Sequence, residues 1–213
     1  GNDKTIDLTS YSCIGILGAV GSGKSQLIKL LADSGLRDIG AFSEYPFCAY
    51  LSQDLTRLFT GNSPSSILEV YRDTRYAIGK HFDPKVFASS CRELGIDDLI
   101  VRNRRLAHYS EGERQRLGIC LASAVVAPVT ILDEPTTALD TLCRQTLFSM
   151  IRKMCLRTKV FLISHRLLDL LAVCDYVIRM ENCRIAEHFP VEHIIEKQHI
   201  LSYYGLSEKE SDT

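Results

Sequence analysis

The chain reads as an α/β protein: a mostly parallel sheet covered by helices on both faces, with a helical subdomain inserted between two of its strands. Three observations lead there. Short apolar runs, such as Cys13-Ile14-Gly15-Ile16-Leu17 and Val129-Thr130-Ile131-Leu132, recur along the chain. They alternate with segments whose apolar residues return at helical spacing, and continuous apolar runs suit strands buried on both faces and joined by helical crossovers. That alternation lapses from Leu55 to about Ala107, where polar and apolar residues mix at helical spacing.

In chain order, Cys13 to Leu17 is a short buried strand. A glycine-rich turn follows. Next comes a helix through Leu27, Ile28, Leu30 and Leu31, stopped near Ser34-Gly35. Ala49-Tyr50-Leu51-Ser52 is a second strand. The inserted stretch has breaks at Gly61-Asn62-Ser63-Pro64, Asp83-Pro84 and Gly95. The sheet pattern resumes at Val129 to Leu132. Leu142 to Leu156 is a helix with Leu147, Met150, Ile151 and Met154 on one face. Val160 to Ile163 is a strand, Leu167 to Ala172 a helix and Tyr176 to Met180 a strand. Asn182 suits a turn into Arg184 to Glu187, and the charged tail from Ser207 is expected to fray.

Composition narrows the class. The chain has 213 residues, 46% of them apolar, enough to bury a sizeable core. A net charge of −1 gives no reason to expect nucleic acid or an anionic membrane as the main partner. The eight cysteines form no C-x-x-C pair and sit among apolar residues, so buried free thiols in a reducing cytosol are expected. Asn2-Asp3-Lys4 does not resemble a signal peptide, and Gly1 fits a remnant of a cleaved tag. The longest apolar stretch, Cys120 to Leu132, is broken by Pro128. It falls short of the about 20 residues that a membrane-crossing helix needs.

Two motifs carry chemistry. Gly18-Ala19-Val20-Gly21-Ser22-Gly23-Lys24-Ser25 fits G-x-x-x-x-G-K-[ST], after a strand and opening a helix. Glycines let backbone N–H groups curl around phosphates, and the helix N-terminus adds partial positive charge. Lys24 is expected to reach the β- and γ-phosphates of ATP, and the Ser25 hydroxyl to ligate Mg²⁺. Downstream, Ile131-Leu132-Asp133-Glu134 ends an apolar strand with two carboxylates. Ligands in such sheets bind at the carboxyl ends of strands. Asp133 is therefore expected to hold Mg²⁺ through water, and Glu134 to polarise the attacking water. The bland alternative is that Asp133 and Glu134, before Pro135, simply open a helix.

Further segments resemble one family. Tyr109-Ser110-Glu111-Gly112-Glu113-Arg114-Gln115-Arg116 is similar to the ABC signature, usually written L-S-G-G-Q-x-Q-R. Thr137-Ala138-Leu139-Asp140 resembles that family's D-loop. Gln53 and His165 follow strands where its Q-loop glutamine and switch histidine belong. The resemblance spans residues 13 to about 190. It implies the ABC ATPase fold: a P-loop NTPase, RecA-like core with an inserted α-helical subdomain. The expected division is a core lobe over about 1–54 and 120–190, a helical subdomain over about 55–119, and a tail over 191–213.

The resemblance also implies a mechanism. Lys24, Ser25, Gln53, Asp133, Glu134 and His165 of one subunit would face Ser110 and Gly112 of a second ATPase subunit, identical or not, in a head-to-tail dimer. Gln53 would join Ser25 and Asp133 at the metal, His165 would assist Glu134, and Asp140 would act across the interface. The Ser110 hydroxyl, the Gly112 N–H and a helix N-terminus would contact the γ-phosphate. Ser110 with Glu113 also reads as a capping box, which uses the same helix end. ATP turnover would open and close the dimer and drive a transmembrane permease subunit, with the chain on the cytoplasmic face of the membrane. Arg114 to Ile119 and Leu132 to Asp140 are similar to ATPase subunits of peptide and nickel importers.

The chain departs from that pattern in places. Glu111 and Glu113 replace a glycine and a glutamine, and carboxylates near a γ-phosphate repel it unless turned away or paired. Only 17 residues precede Gly18, so the family's adenine-stacking aromatic has no clear counterpart beyond Tyr11. Two rivals remain at this point. One is a DNA-repair or translation ATPase of the superfamily; the short Gln26–Tyr109 interval without sustained heptads argues against the first, and a single domain against the second. The other is a non-hydrolysing, nucleotide-sensing regulator, supported only by Glu111 and Glu113.

Overall fold

A computed structural model describes residues 6–33, 48–55, 63–73 and 81–194. The expected helix stop at Ser34-Gly35, the break at Gly61-Asn62 and the tail from Ser207 lie outside those residues.

The six strands are β1 (Cys13–Leu17), β2 (Ala49–Leu51), β3 (Val129–Asp133), β4 (Lys159–Ser164), β5 (Tyr176–Glu181) and β6 (Arg184–Pro190). They form one sheet in the order β2-β3-β4-β1-β5-β6. Every neighbouring pair is parallel except β5 with β6. That exception follows from the link between them. Glu181 pairs with Arg184, leaving a two-residue turn in which Asn182 (φ 50°) and Cys183 (φ 59°) both adopt left-handed conformations. Two positive φ values make the turn whose twist matches an antiparallel hairpin. Asparagine tolerates that region readily; cysteine does so less often.

Strands β1, β3, β4 and β5 divide their side chains between two cores. Cys13, Leu17, Leu132, Val160, Leu162 and Val177 point to one face. Ile14, Ile16, Val129, Ile131, Phe161, Ile163 and Ile178 point to the other, with Ile28. Period-two alternation of uniformly apolar residues is what two-sided burial demands.

The described helices are α1 (Lys24–Asp33), α2 (Pro64–Arg72), α3 (Pro84–Glu93), α4 (Asp97–Arg102), α5 (Glu111–Ala124), α6 (Thr141–Met154) and α7 (Leu167–Leu171). Ser63 and Asp83 cap α2 and α3 by accepting backbone N–H bonds ahead of a proline at the helix start. Helix α5 runs unbroken through residue 119, so the expected lobe boundary there falls inside one helix. Its Gly118 lies so close to β2 that a Cβ would sit 2.7 Å from Leu51 Cδ1. This contact seats α5 on the sheet edge.

The cysteines depart in part from expectation. All eight are free; Cys13, Cys91, Cys120 and Cys174 are buried, but Cys48, Cys143 and Cys155 are half-buried and Cys183 is exposed. Cys183 occupies the tip of the β5–β6 turn, where no core surrounds it.

Candidate functional site

Strand register brings the site together. β1 lies between β4 and β5, and β4 between β1 and β3. Leu17 pairs with Ser164, and Asp133 with Ile163. Hence Gly18, His165 and Glu134, each following its strand, emerge side by side at the carboxyl edge of the sheet. That is where a parallel sheet places its ligand.

The loop Gly18–Ser25 is wound tightly. Gly21 (φ 82°) and Gly23 (φ 98°) occupy conformations that side chains disfavour. Ser22 N–H donates to Ala19 O, and Leu27 N–H to Gly23 O. Lys24 is buried, and its ammonium donates to the carbonyls of Gly18 at 2.6 Å and Ala19 at 2.9 Å. The lysine thus lies across the mouth of its own loop, while Ser25, at the first turn of α1, is exposed. Ser22 is buried with its hydroxyl unpartnered. Val20 stands at the rim, 96% exposed. A cleft of about 480 Å³ opens over the loop between Gly18–Ser22, His165 and Arg179. A larger one, about 620 Å³, lies at the opposite ends of the strands between Tyr11 and Lys159 and touches none of these groups.

The β5–β6 turn braces this loop: Cys183 N–H donates to Ser22 O at 3.0 Å. A Cβ on Gly23 would lie 2.9 Å from Cys183 Cα. Gly23→Ala therefore combines a left-handed φ with a backbone clash. It is expected to cost about 1–3 kcal/mol, which lowers the thermal midpoint by roughly 3–9 °C. Differential scanning calorimetry checks it; an unchanged midpoint would mean that the loop is not held as described.

Two carboxylates end β3. Asp133 is buried and accepts a hydrogen bond from the Tyr50 hydroxyl at 3.2 Å. Burial pushes its carboxyl above the usual range; Tyr50 opposes that shift, Glu134 adds to it and Lys24 opposes it. Glu134 is also buried and takes a left-handed φ of 50°, so no helix opens here and the bland alternative fails. Its Oε2 lies 2.9 Å from Nδ1 of His165, whose side chain is half-exposed. A carboxylate can only accept, so this contact is a hydrogen bond from the Nδ1–H tautomer of the ring. His165 does not cap the next helix; that position belongs to Arg166. Gln53 is exposed two residues beyond β2 and three after the Tyr50 that reaches Asp133.

The signature segment forms the start of α5. Ser110 is the N-cap, and a reciprocal capping box is present. Ser110 N–H donates to Glu113 Oε2 at 2.7 Å, and Glu113 N–H donates to Ser110 Oγ at 3.2 Å. The bond from the Ser110 backbone holds the Glu113 carboxyl below its usual range. Glu113 is thus turned back onto its own helix end, whereas Glu111 is exposed. Gly112 is needed for contact: a Cβ there would meet Ala138 O at 2.7 Å. Ala138 itself has φ 61°, and Asp140, two residues on, is exposed and caps α6 by accepting from Cys143 N–H at 2.8 Å.

Four residues had no role in the sequence reading. Tyr50 holds Asp133 from the exposed middle position of β2. Gln115 is buried and donates from Nε2 to Pro135 O at 3.2 Å, tying α5 to the residue after Glu134. Thr136 and Asp169 hydrogen-bond to each other at 2.7 Å. None of these pairs has a local sequence signal. Among the described residues, no group of three or more His, Cys, Asp or Glu could hold a metal ion unaided. None of the described helices is long and apolar enough to cross a membrane.

Residues 2–137 match the family described as ABC transporter. A probable ABC transporter ATP-binding/permease protein of Haemophilus influenzae is 28% identical over 207 residues, which cover 87% of this chain but 36% of that protein. The phosphate import ATP-binding protein PstB of Saccharolobus solfataricus is 28% identical over 205 residues, covering 87% of this chain and 80% of that one. The thiamine import ATP-binding protein ThiQ of Aliivibrio fischeri is 29% identical over 183 residues, covering 80% and 77%. Among solved structures, an ATP-binding subunit of an ABC transporter superposes with a TM-score of 0.67 at 20% identity, covering 89% of this chain and 82% of that one. A bacterial Atm1-family ABC exporter with ATP bound gives 0.69 at 19% identity, covering 92% and 37%. At such identities the two structures speak for the fold alone.

Proposed function

The chain belongs to the ABC transporter family, and from that premise we propose that it binds and hydrolyses Mg-ATP, as one half of a head-to-tail dimer, to power a transmembrane permease. The observation that carries the reading is the buried Glu134, paired with His165 at 2.9 Å, on the same sheet edge as the loop bridged by Lys24. Phosphoryl transfer needs little covalent help from a protein; it needs positioning and charge stabilisation. Gly18 to Ser25 would wrap the triphosphate with main-chain N–H groups, and Lys24 would swing from Gly18 O and Ala19 O to its oxygens. The buried Asp133, charged against the cost of burial, suits a cation nearby. Mg²⁺ is commonly held by one or two carboxylates with substrate phosphates. Ser25, Gln53 and Asp133 would hold it, and the ion would neutralise charge on the transferred group. Glu134 would take the proton of the attacking water, with His165 fixing its orientation.

The exposed Ser110 hydroxyl and the Gly112 end of α5 would close on the partner's nucleotide, with Asp140 crossing the seam. Glu113 is bound to its own helix cap, which leaves Glu111 as the unusual carboxylate to test at that contact. Glu111→Gly is expected to leave steady-state turnover equal or faster; a large loss would assign that carboxylate a role in the reaction. Import is the favoured direction, since several relatives are named as import ATP-binding proteins. The likeness of Arg114–Ile119 and Leu132–Asp140 to peptide and nickel importers is a proposal about kinship within the family and names no cargo. The place of action would be the cytoplasmic face of a membrane. Steady-state ATPase of the chain with and without Mg²⁺ tests the core of this reading; no turnover above background would overturn it.

A further inference from the structure

The carboxylate of Asp169 lies outside the nucleotide cleft yet joins three segments that matter to it. Asp169 is 3% exposed and sits in α7, four residues after His165. Its Oδ2 accepts from Thr136 Oγ1 at 2.7 Å, a buried bond between a residue two past Glu134 and one four past His165. Arg166 Nε stands 3.9 Å from Oδ2, and Arg144 Nη1 4.0 Å from Oδ1. Arg144 belongs to the first turn of α6, the helix capped by Asp140. A carboxylate this deeply buried is retained only when charge and hydrogen bonds compensate it. Here the compensation comes from Thr136, from the helix after His165 and from the helix after Asp140.

Glu134 needs such bracing. Its left-handed φ is costly for a residue with a side chain, and persists only where surrounding contacts over-determine it. Two backbone bonds contribute: Glu134 N–H to Ile163 O at 3.0 Å, and Thr137 N–H to Glu134 O at 3.2 Å. Both act on the main chain near Glu134, and neither reaches α7. The Thr136–Asp169 bond supplies the missing tie between the turn that carries Glu134 and the helix that follows His165.

We infer that Asp169 is a positioning residue that, through Thr136, holds Glu134 and His165 in contact and links that pair to the Asp140 segment. The inference rests on the hydrolytic reading above. Losing the tie would let the turn relax and misplace Glu134 relative to the attacking water, while the phosphate loop, on a different strand, keeps its shape.

The test uses the full chain with Thr136→Val, Thr136→Ser and Asp169→Asn, reading kcat and KM for Mg-ATP, the thermal midpoint and the ¹⁵N ring resonances of His165. Misplacement of about an ångström costs up to about a hundredfold in rate. Thr136→Val is therefore expected to lose about tenfold to a hundredfold in kcat, and Asp169→Asn, whose amide oxygen can still accept from Thr136, to lose less than Thr136→Val, each with KM within about twofold of the parent. Thr136→Ser, which keeps the hydroxyl, should restore turnover. The His165 ring resonances should move in Thr136→Val and stay in place in Thr136→Ser. Unchanged kcat with unmoved resonances would overturn the inference. So would a Thr136→Ser protein as impaired as Thr136→Val. If the parent itself shows no turnover, the hydrolytic reading fails, and the His165 resonances alone decide whether the tie exists.

Discussion

Lys24→Ala is expected to weaken Mg-ATP binding by about a hundredfold or more, read as the Kd from isothermal titration calorimetry. A hydrogen bond to a charged group contributes about 1.5–3 kcal/mol, and a lysine reaching two phosphates makes at least two. The sum of roughly 3–6 kcal/mol corresponds to a factor between about 10² and 10⁴ in affinity. The same ammonium also donates to Gly18 O and Ala19 O, so its removal loosens the loop as well. Both effects act in one direction. A variant that binds Mg-ATP as tightly as the parent would show that the loop is no phosphate cradle, and the functional proposal would fall with it.

Glu134→Gln should separate binding from chemistry. General-base catalysis contributes about 10²–10⁴ in rate, so kcat should fall by that order while the Kd for Mg-ATP stays close to the parent's. The amide keeps an oxygen able to accept from His165 Nδ1 at the observed 2.9 Å, so the substitution removes charge and basicity with little loss of shape. With hydrolysis blocked, the γ-phosphate proposed to join cradle to signature would persist, and the protein should accumulate as an ATP-bound dimer. Static light scattering at saturating Mg-ATP reads that mass directly. A variant that stays monomeric would count against the closed dimer and leave the nucleotide site standing. One that turns over at the parent's rate would remove Glu134 from the reaction.

Much of the site was legible because its chemistry is local. Gly18 to Ser25 must be glycine-rich in order to wind, and Gly21 and Gly23 do take the left-handed backbone that their identity allows. Asp133 and Glu134 end an apolar run, and the run itself announces a buried strand. Ser110 with Glu113 announces a capping box, which is present. Element limits shifted by only a residue or two in β5 and α7, and by three in β6, where the hairpin extends pairing past Glu187 to Pro190.

What escaped notice depends on distance along the chain. Tyr50 and Asp133 are 83 positions apart, and Thr136 and Asp169 are 33 apart. Gln115 lay inside a motif whose residues were already noted, yet its bond to Pro135 O requires knowing that α5 crosses the edge of the sheet at Gly118.

The amino-acid order by itself determined which backbone conformations are allowed, where helices are capped and which runs are apolar enough to be buried, because those are short-range matters of sterics and solvation. The tertiary structure alone decided which strand ends stand beside one another, and therefore that His165 meets Glu134 and that Asp169 meets Thr136. Those contacts follow from the strand order β2-β3-β4-β1-β5-β6 and its register, which the whole sheet settles at once as it buries its two faces.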